Sequence, residues 1–258
     1  MDKAIVLDAE GKELSSTSVE KACRLIERGR ARLVHDDPLT VQLSYAVDVP
    51  ARPEPEPEPL AGEGRTILLH VCCAPCATYC VQRLRELAFA VTGYWYNPNV
   101  HPYSEHERRR ETLVRYAAEV DLPMVWEPGY EMVEFLRAVV GQEAFRQRCR
   151  LCYRMRLERT AQTAAREGLD AFTTTLLISP YQDQAAIQEV GQEMADLYGV
   201  SFYYENFRRG WAEHGQMVRA HELYSQRYCG CIYSEWEALD RGATTRAATK
   251  RGGSKHGD

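Results

Sequence analysis

Eight of the nine cysteines in this 258-residue chain fall in short groups: Cys72-Cys73-Ala74-Pro75-Cys76 with Cys80, Cys149-Arg150-Leu151-Cys152, and Cys229-Gly230-Cys231. Grouped thiols in one chain are seldom packing residues, and they point to a metal or cluster held by some and a redox pair made by others. Cys72, Cys73, Cys149 and Cys152 would give four thiolates, a donor set that suits Zn²⁺ or an iron–sulfur cluster. Structural zinc usually draws C-x-x-C from hairpin knuckles, so adjacent cysteines at a strand end favour the cluster. The plainer alternative is that Cys72 and Cys73 point to opposite sides and only one matters. Cys76 is close enough in sequence to ligate or tune a metal. A disulfide across Gly230 would close a small, strained ring, which makes Cys229/Cys231 a poor staple and a plausible two-electron store. The alternative is two more metal ligands. Cys80 and Cys23 read as packing residues.

Cys149 and Cys152 open a predicted helix, whose unpaired N–H groups favour thiolates. Arg146, Arg148, Arg150, Arg154 and Arg156 crowd the same stretch and would lower the thiol pKa values, unless they form a solvated face. A second basic group, His101, Arg108, Arg109, Arg110 and Arg115, lies near Asn97 and Asn99 with Tyr94, Trp95, Tyr96 and Tyr103 alongside. Basic groups with aromatics suit single-stranded RNA, where bases stack and phosphates pair. An exposed helix face over core aromatics is an equally common origin for that pattern.

The elements that must position these groups alternate. Thr66–Val71, Ala90–Tyr96, Met124–Glu127, Ala171–Leu177 and Ser201–Tyr204 read as strands. Helices are expected at 79–87, 106–120, 131–140, 152–167 and 184–198. This is the pattern of an α/β fold, a parallel sheet with helices on both faces. In such sheets ligands bind beyond the carboxyl ends of the strands. The first cysteines, the Tyr96-Asn97-Pro98-Asn99 loop and Ser179-Pro180-Tyr181 all fall at that edge. Residues 1–49 read as a small α+β module, with a helix capped in Ser16-Thr17-Ser18 and ending at Gly29. The Pro/Glu alternation at 50–64 reads as an extended linker. The main domain is expected over 65–238, and the polar tail 239–258 as disordered.

The net charge of −5 gives no global attraction to nucleic acid, so any such contact must be local. No signal peptide and no apolar run long enough to cross a bilayer is evident. A soluble, cytoplasmic protein is expected, whose thiols stay reduced.

Five stretches, LLHVCCAPC (68–76), YNPNVHPYSEHERR (96–109), RCRLCYRMRLERTA (148–161), FTTTLLISPY (172–181) and YCGCIYS (228–234), together closely resemble the QueH-type epoxyqueuosine reductases. The resemblance spans about residues 66–235. It implies reduction of the epoxide of wobble-position epoxyqueuosine in tRNA to an alkene, without cobalamin and with an external electron donor. It further implies a [4Fe–4S] cluster on Cys72, Cys73, Cys149 and Cys152, and a redox-active Cys229–Cys231 disulfide. A second, mononuclear iron is an option in this family, with Cys76 the candidate contact. The family's sheet is Rossmann-like and similar to that of PP-loop proteins. The Ser-Gly-Gly-x-Asp-Ser phosphate loop of those ATP-using relatives is absent here, with Cys-Cys-Ala-Pro-Cys in its place. Asn97, Asn99, Arg108, Arg109 and Tyr181 are the expected substrate contacts, and Tyr153, Tyr181 and His70 are proton donors by type. Residues 1–46 resemble the short N-terminal module of some HNH-type endonucleases, with Arg28, Arg30 and Arg32 for nucleic-acid docking and no nuclease motif following. Two rival functions are a zinc-stabilised tRNA-binding protein and a PP-loop-like tRNA sulfur-transfer enzyme.

Overall fold

The computed structural model describes residues 3–11, 13–14, 16–44, 62 and 64–240, and divides into two compact units, Met1–Pro59 and Leu60–Asp258. The Pro/Glu segment (apart from residues 62 and 64) and the tail beyond 240 lie outside the described residues.

In the first unit, β1 (Lys3–Leu7), β2 (Thr17–Ser18), α1 (Val19–Glu27), β3 (Ala31–Asp36) and β4 (Leu39–Leu43) form a mixed sheet in the order β2-β1-β4-β3 with one helix. The Ser18 side chain accepts from the Lys21 N–H at 3.4 Å and so starts α1. Ala22, Leu25 and Ile26 of α1 pack on Ala4, Val6, Ala31, Val41 and Leu43. Cys23 is exposed, which corrects its expected packing role: the buried stripe runs one residue away from it.

The second unit contains β5 (Thr66–His70), α2 (Ala74–Glu86), β6 (Ala90–Trp95), α3 (Tyr103–Glu119), β7 (Met124–Trp126), α4 (Met132–Val139), α5 (Gln147–Arg166), β8 (Ala171–Thr174), α6 (Gln184–Tyr198), β9 (Ser201–Phe202) and α7 (Trp211–Ala220). A 3₁₀ turn, Thr175–Ile178, follows β8, and residues 232–240 are helical. The five strands are all parallel, in the order β7-β6-β5-β8-β9, with helices on both faces. The sheet is thus α/β, and its centre is apolar on both sides. Ile67, Leu68, Leu69 and Phe172 are fully buried, as a parallel strand requires. No described helix is long and apolar enough to cross a membrane.

Three helices, α2, α3 and α5, start before their expected positions, and two of these starts matter for the sulfur site. Pro75 stands in the first turn of α2, where its missing N–H costs nothing, so the helix begins immediately after Cys73 and carries Cys76. Helix α5 begins at Gln147, which places Cys149 in its first turn and Cys152 one turn further on.

Candidate functional site

Strands β5 and β8 are neighbours whose connections leave in opposite directions, the switch point at which open α/β sheets bind ligands. The cysteines after β5 meet the threonines after β8 at this point. The Cys72 N–H donates to Thr175 Oγ1 at 3.1 Å, and that hydroxyl contacts Cys72 Sγ at 3.3 Å. His70, fully buried, spans Thr174 Oγ1 at 2.9 Å and the Tyr96 carbonyl at 3.1 Å. Cys72 and Cys73 do not diverge: their sulfurs are 3.8 Å apart. With Cys76 they form a set whose sulfurs all lie within 4.8 Å of one another. Gln226 donates from Nε2 to Cys73 Sγ at 3.0 Å. Bonds from Cys73 and Cys76, then Thr175, hold the Cys72 thiol well below its usual range. The bond to Cys72 pushes Cys73 up to about 12 and Cys76 upward as well. Hydrogen bonding therefore lowers Cys72 at the expense of its two neighbours, and the three thiols titrate as one set.

Cys149 and Cys152 do not join that set; among the described residues it holds Cys72, Cys73 and Cys76 alone. Cys152 and Cys231 instead pack with Phe135 and Val139, flanked by Leu136, Leu151 and Met155. Burial pushes Cys149 up, and Cys152 up to about 11. The expectation that helix and arginines would lower both thiols fails, because desolvation outweighs them. The arginines themselves divide by helix face. Arg150 and Arg154 reach Glu189 and Glu193 of α6, and Arg148 takes Glu237 at 2.6 Å.

Arg156 is different. It is buried (4% exposed), and its hydrogen bonds go to the Cys152 carbonyl at 3.2 Å and the Cys152 sulfur at 3.1 Å. No carboxylate among the described residues pairs with it. Its charge is felt first by Cys152, then by Cys72, Cys229 and Tyr153.

The Cys229-Gly230-Cys231 loop is held from the other side. Arg109 is buried, ion-paired to Glu105 at 2.7 Å, and donates to the Cys229 and Tyr228 carbonyls at 3.0 and 3.2 Å. His101 N–H donates to the Gly230 carbonyl at 2.8 Å, and Ile232 N–H reaches His101 Nδ1 at 3.4 Å. Gly230 has φ +135°, and a Cβ there would meet Val100 at 3.0 Å, Arg109 at 3.1 Å and Asn99 at 3.3 Å. Both cysteines are free thiols. Cys229 is exposed and Cys231 buried. Bonds from Cys229 and Ser234, with Arg148 nearby, hold Cys231 down at about 5, while the bond to Cys231 pushes Cys229 up.

The expected substrate contacts scatter. Asn97 and Asn99 are buried at the site, each with an unpartnered Oδ1, as are His101 Nε2 and Gln226 Oε1. Arg109 clamps the cysteine loop, Arg108 lies 3.6 Å over the Tyr224 ring, and Tyr181 is 79% exposed. Thr174, Thr175 and Gln226 are not among the expected site residues, while His101 and Arg156, expected as parts of basic groups, act there through direct contacts. The first two had a signal, being at the carboxyl end of a central strand; Gln226 had none.

The donor set fits a sulfur-bound metal centre. Cys72, Cys73 and Cys76 converge, and the buried Arg156 beside the Cys152 sulfur favours an anion nearby. The 3.8 Å Cys72–Cys73 separation also equals the edge of a tetrahedron about a single ion with metal–sulfur bonds of about 2.3 Å.

A family model described as epoxyqueuosine reductase QueH matches residues 67–237. The QueH of Dehalococcoides mccartyi is 39% identical over 175 residues, covering 68% of this chain and 95% of that protein. The QueH of Thermotoga maritima is 35% identical over 195 residues, covering 72% and 98%. That of Streptococcus pyogenes is 34% identical over 179 residues, covering 66% and 70%. The cysteine groups and the elements that carry them lie within the matched span, and the chain belongs to the QueH family and is an oxidoreductase.

Proposed function

We propose that this protein reduces epoxyqueuosine at the wobble position of tRNA to queuosine, without cobalamin. The balance is simple: the epoxide and two thiols give an alkene, water and a disulfide. Cys229 and Cys231 are the two thiols, and an external reductant restores them. Cys72, Cys73, Cys149 and Cys152 would hold a [4Fe–4S] cluster, with Cys76 placed for an adjacent iron. When bound, that centre supplies single-electron transfer and Lewis acidity toward the epoxide oxygen. The observation that carries this reading is the set of Cys72, Cys73 and Cys76, whose sulfurs all lie within 4.8 Å of one another, with the buried Arg156 bonded to the Cys152 sulfur at 3.1 Å.

The chain's own residues bind and orient. The free oxygens of Asn97, Asn99 and Gln226 are acceptors for the hydroxyls of the cyclopentane ring. His101 accepts at Nδ1 and so carries its proton on Nε2, which makes it a donor toward the same ring. His70 has both nitrogens engaged, Tyr153 donates to Gln182, and Tyr181 is exposed, so the three proton donors expected from type are otherwise occupied. The domain reading stands as 65–238 for the reductase and 1–49 for a nucleic-acid-docking module, with the exposed Arg28 and Arg32 available to phosphates. A cytoplasmic setting keeps the resting thiols reduced.

Nucleoside analysis of tRNA from a deletion strain tests the activity. Epoxyqueuosine should accumulate and queuosine return on complementation; a Cys229→Ser/Cys231→Ser double variant should keep its metal and lose turnover. Wild-type turnover by that double variant would sink the redox role. A single zinc ion on Cys72, Cys73 and Cys76 is the second reading, favoured by the 3.8 Å sulfur separation. Metal analysis of anaerobically purified protein separates them: zinc leaves it colourless, an iron–sulfur centre makes it brown.

A further inference from the structure

A cavity of about 390 Å³ lies outside the sulfur site, at the carboxyl ends of β6 and β7. Its floor is Trp95 and Trp126, which are register partners in the sheet with rings 6.3 Å apart. One wall is a face of α3, where Tyr103, His106 and Arg110 recur at helical spacing. The other is the loop after β7, which brings Tyr130.

The rings are mutually arranged. His106 lies 5.2 Å from Trp95 and 4.5 Å from Tyr130, and it stacks at 6.0 Å on Tyr103. Tyr103 stands at the lip and is 57% exposed, unusual for an aromatic with no further role. Arg110 lies 5.6 Å over Trp126. His106 Nδ1 faces Glu107 Oε1 at 3.1 Å and donates to it, which leaves Nε2 as an acceptor. The volume is within the ordinary range for a ligand site, about 300–1,000 Å³. Glu107 and Glu127 also line the cavity, and Glu107 lies 3.6 Å from Arg110. Aromatic faces with acceptors among them are the chemistry that binds an unstacked nucleobase by stacking and by its amino or imino hydrogens.

The cavity also adjoins the reductive site. The Tyr130 hydroxyl donates to the Val100 carbonyl, and its ring lies 6.4 Å from His101, the residue that holds Gly230. We propose that this cavity seats a base of the substrate tRNA's anticodon loop, beside the wobble nucleotide whose side arm is reduced. The proposal rests on the tRNA reading above and adds the place where the RNA is gripped.

The test uses the full-length protein and an anticodon stem-loop RNA carrying the fluorescent base 2-aminopurine on either side of the wobble position. Binding is read by anisotropy and stacking by quenching. Quenching at one flanking position is expected. It should be lost in Tyr103→Ala and Trp126→Ala, each binding about tenfold more weakly. Tyr103→Phe should restore it, which separates stacking from misfolding, since a folding defect would not follow the ring. Binding without quenching at either position overturns the cavity and leaves the tRNA reading intact. Quenching that survives both alanine variants does the same. Failure of the wild type to bind the RNA overturns both.

Discussion

The two buried cysteine groups are built from the same atoms and behave oppositely. Cys72, Cys73 and Cys76 sit among hydrogen-bond donors at the start of a helix, with Cys76 in its first turn, and the Cys72 thiol is held well below its usual range. Cys152 is packed against Phe135 and Val139 and is pushed up to about 11. A helix N-terminus and five nearby arginines did not suffice for the second group. Burial removes water's stabilisation of a thiolate, and only donors in direct contact replace it. One group is lowered by donors in direct contact, while the second has Arg156 as the donor at its Cys152 sulfur.

The largest expected effect breaks the first group. Cys72→Ser should abolish metal retention, colour and turnover together, because it removes the most acidified sulfur of the three; full metal content in that variant would refute the assignment. Arg156→Met comes next, removing the cation that the second group leans on while keeping bulk. A cost of about 3–5 kcal/mol in stability of the metal-bound state is expected, read as lost iron and a shifted reduction potential. If both are unchanged, the two groups do not share a counter-charge. Gly230→Ala should be milder, since a φ of +135° and three contacts of 3.0–3.3 Å oppose a methyl group. About 1–3 kcal/mol of strain should slow turnover with metal content intact. The smallest effect lies outside the site and serves as a control. Asp170 accepts from the Thr66 N–H at 2.7 Å and hydroxyl at 2.8 Å, which holds its carboxyl below the usual 3.8. A lowered carboxylate pKa stabilises the folded state above the unfolded value and ceases to as acid takes pH through the folded one. The melting-temperature gap between wild type and Asp170→Ala should therefore be small near neutrality and narrow below about pH 4, with no change in metal.

Much of this was legible in the residues. The buried run TILLH ending at two cysteines announced both a central parallel strand and a site at its end, and the structure delivers both. What was not legible was which arginines face inward. Arg148, Cys152 and Arg156 repeat every four residues along one side of α5, and Arg150 and Arg154 along another, where glutamates of α6 wait. Local composition shows five like charges; only the tertiary partner of each face separates them. Arg109 misled for the same reason. Its place in a run of three arginines suggested RNA, yet Glu105 one turn back neutralises it and frees it to enter the interior. Gln226 came from a loop with no pattern, 153 positions from the sulfur it touches.

The Cys229–Gly230–Cys231 pair is lopsided: residue Cys229 is exposed and residue Cys231 is buried. Under the proposed cycle, this fixes the direction of regeneration. A reducing thiol that arrives at the exposed residue would form its mixed disulfide at Cys229 and expel the Cys231 sulfur. That sulfur is also the one held down at about 5, hence the better leaving group. The enzyme would thus be recharged through its outer sulfur and discharge through its inner one, like a battery with a single accessible terminal.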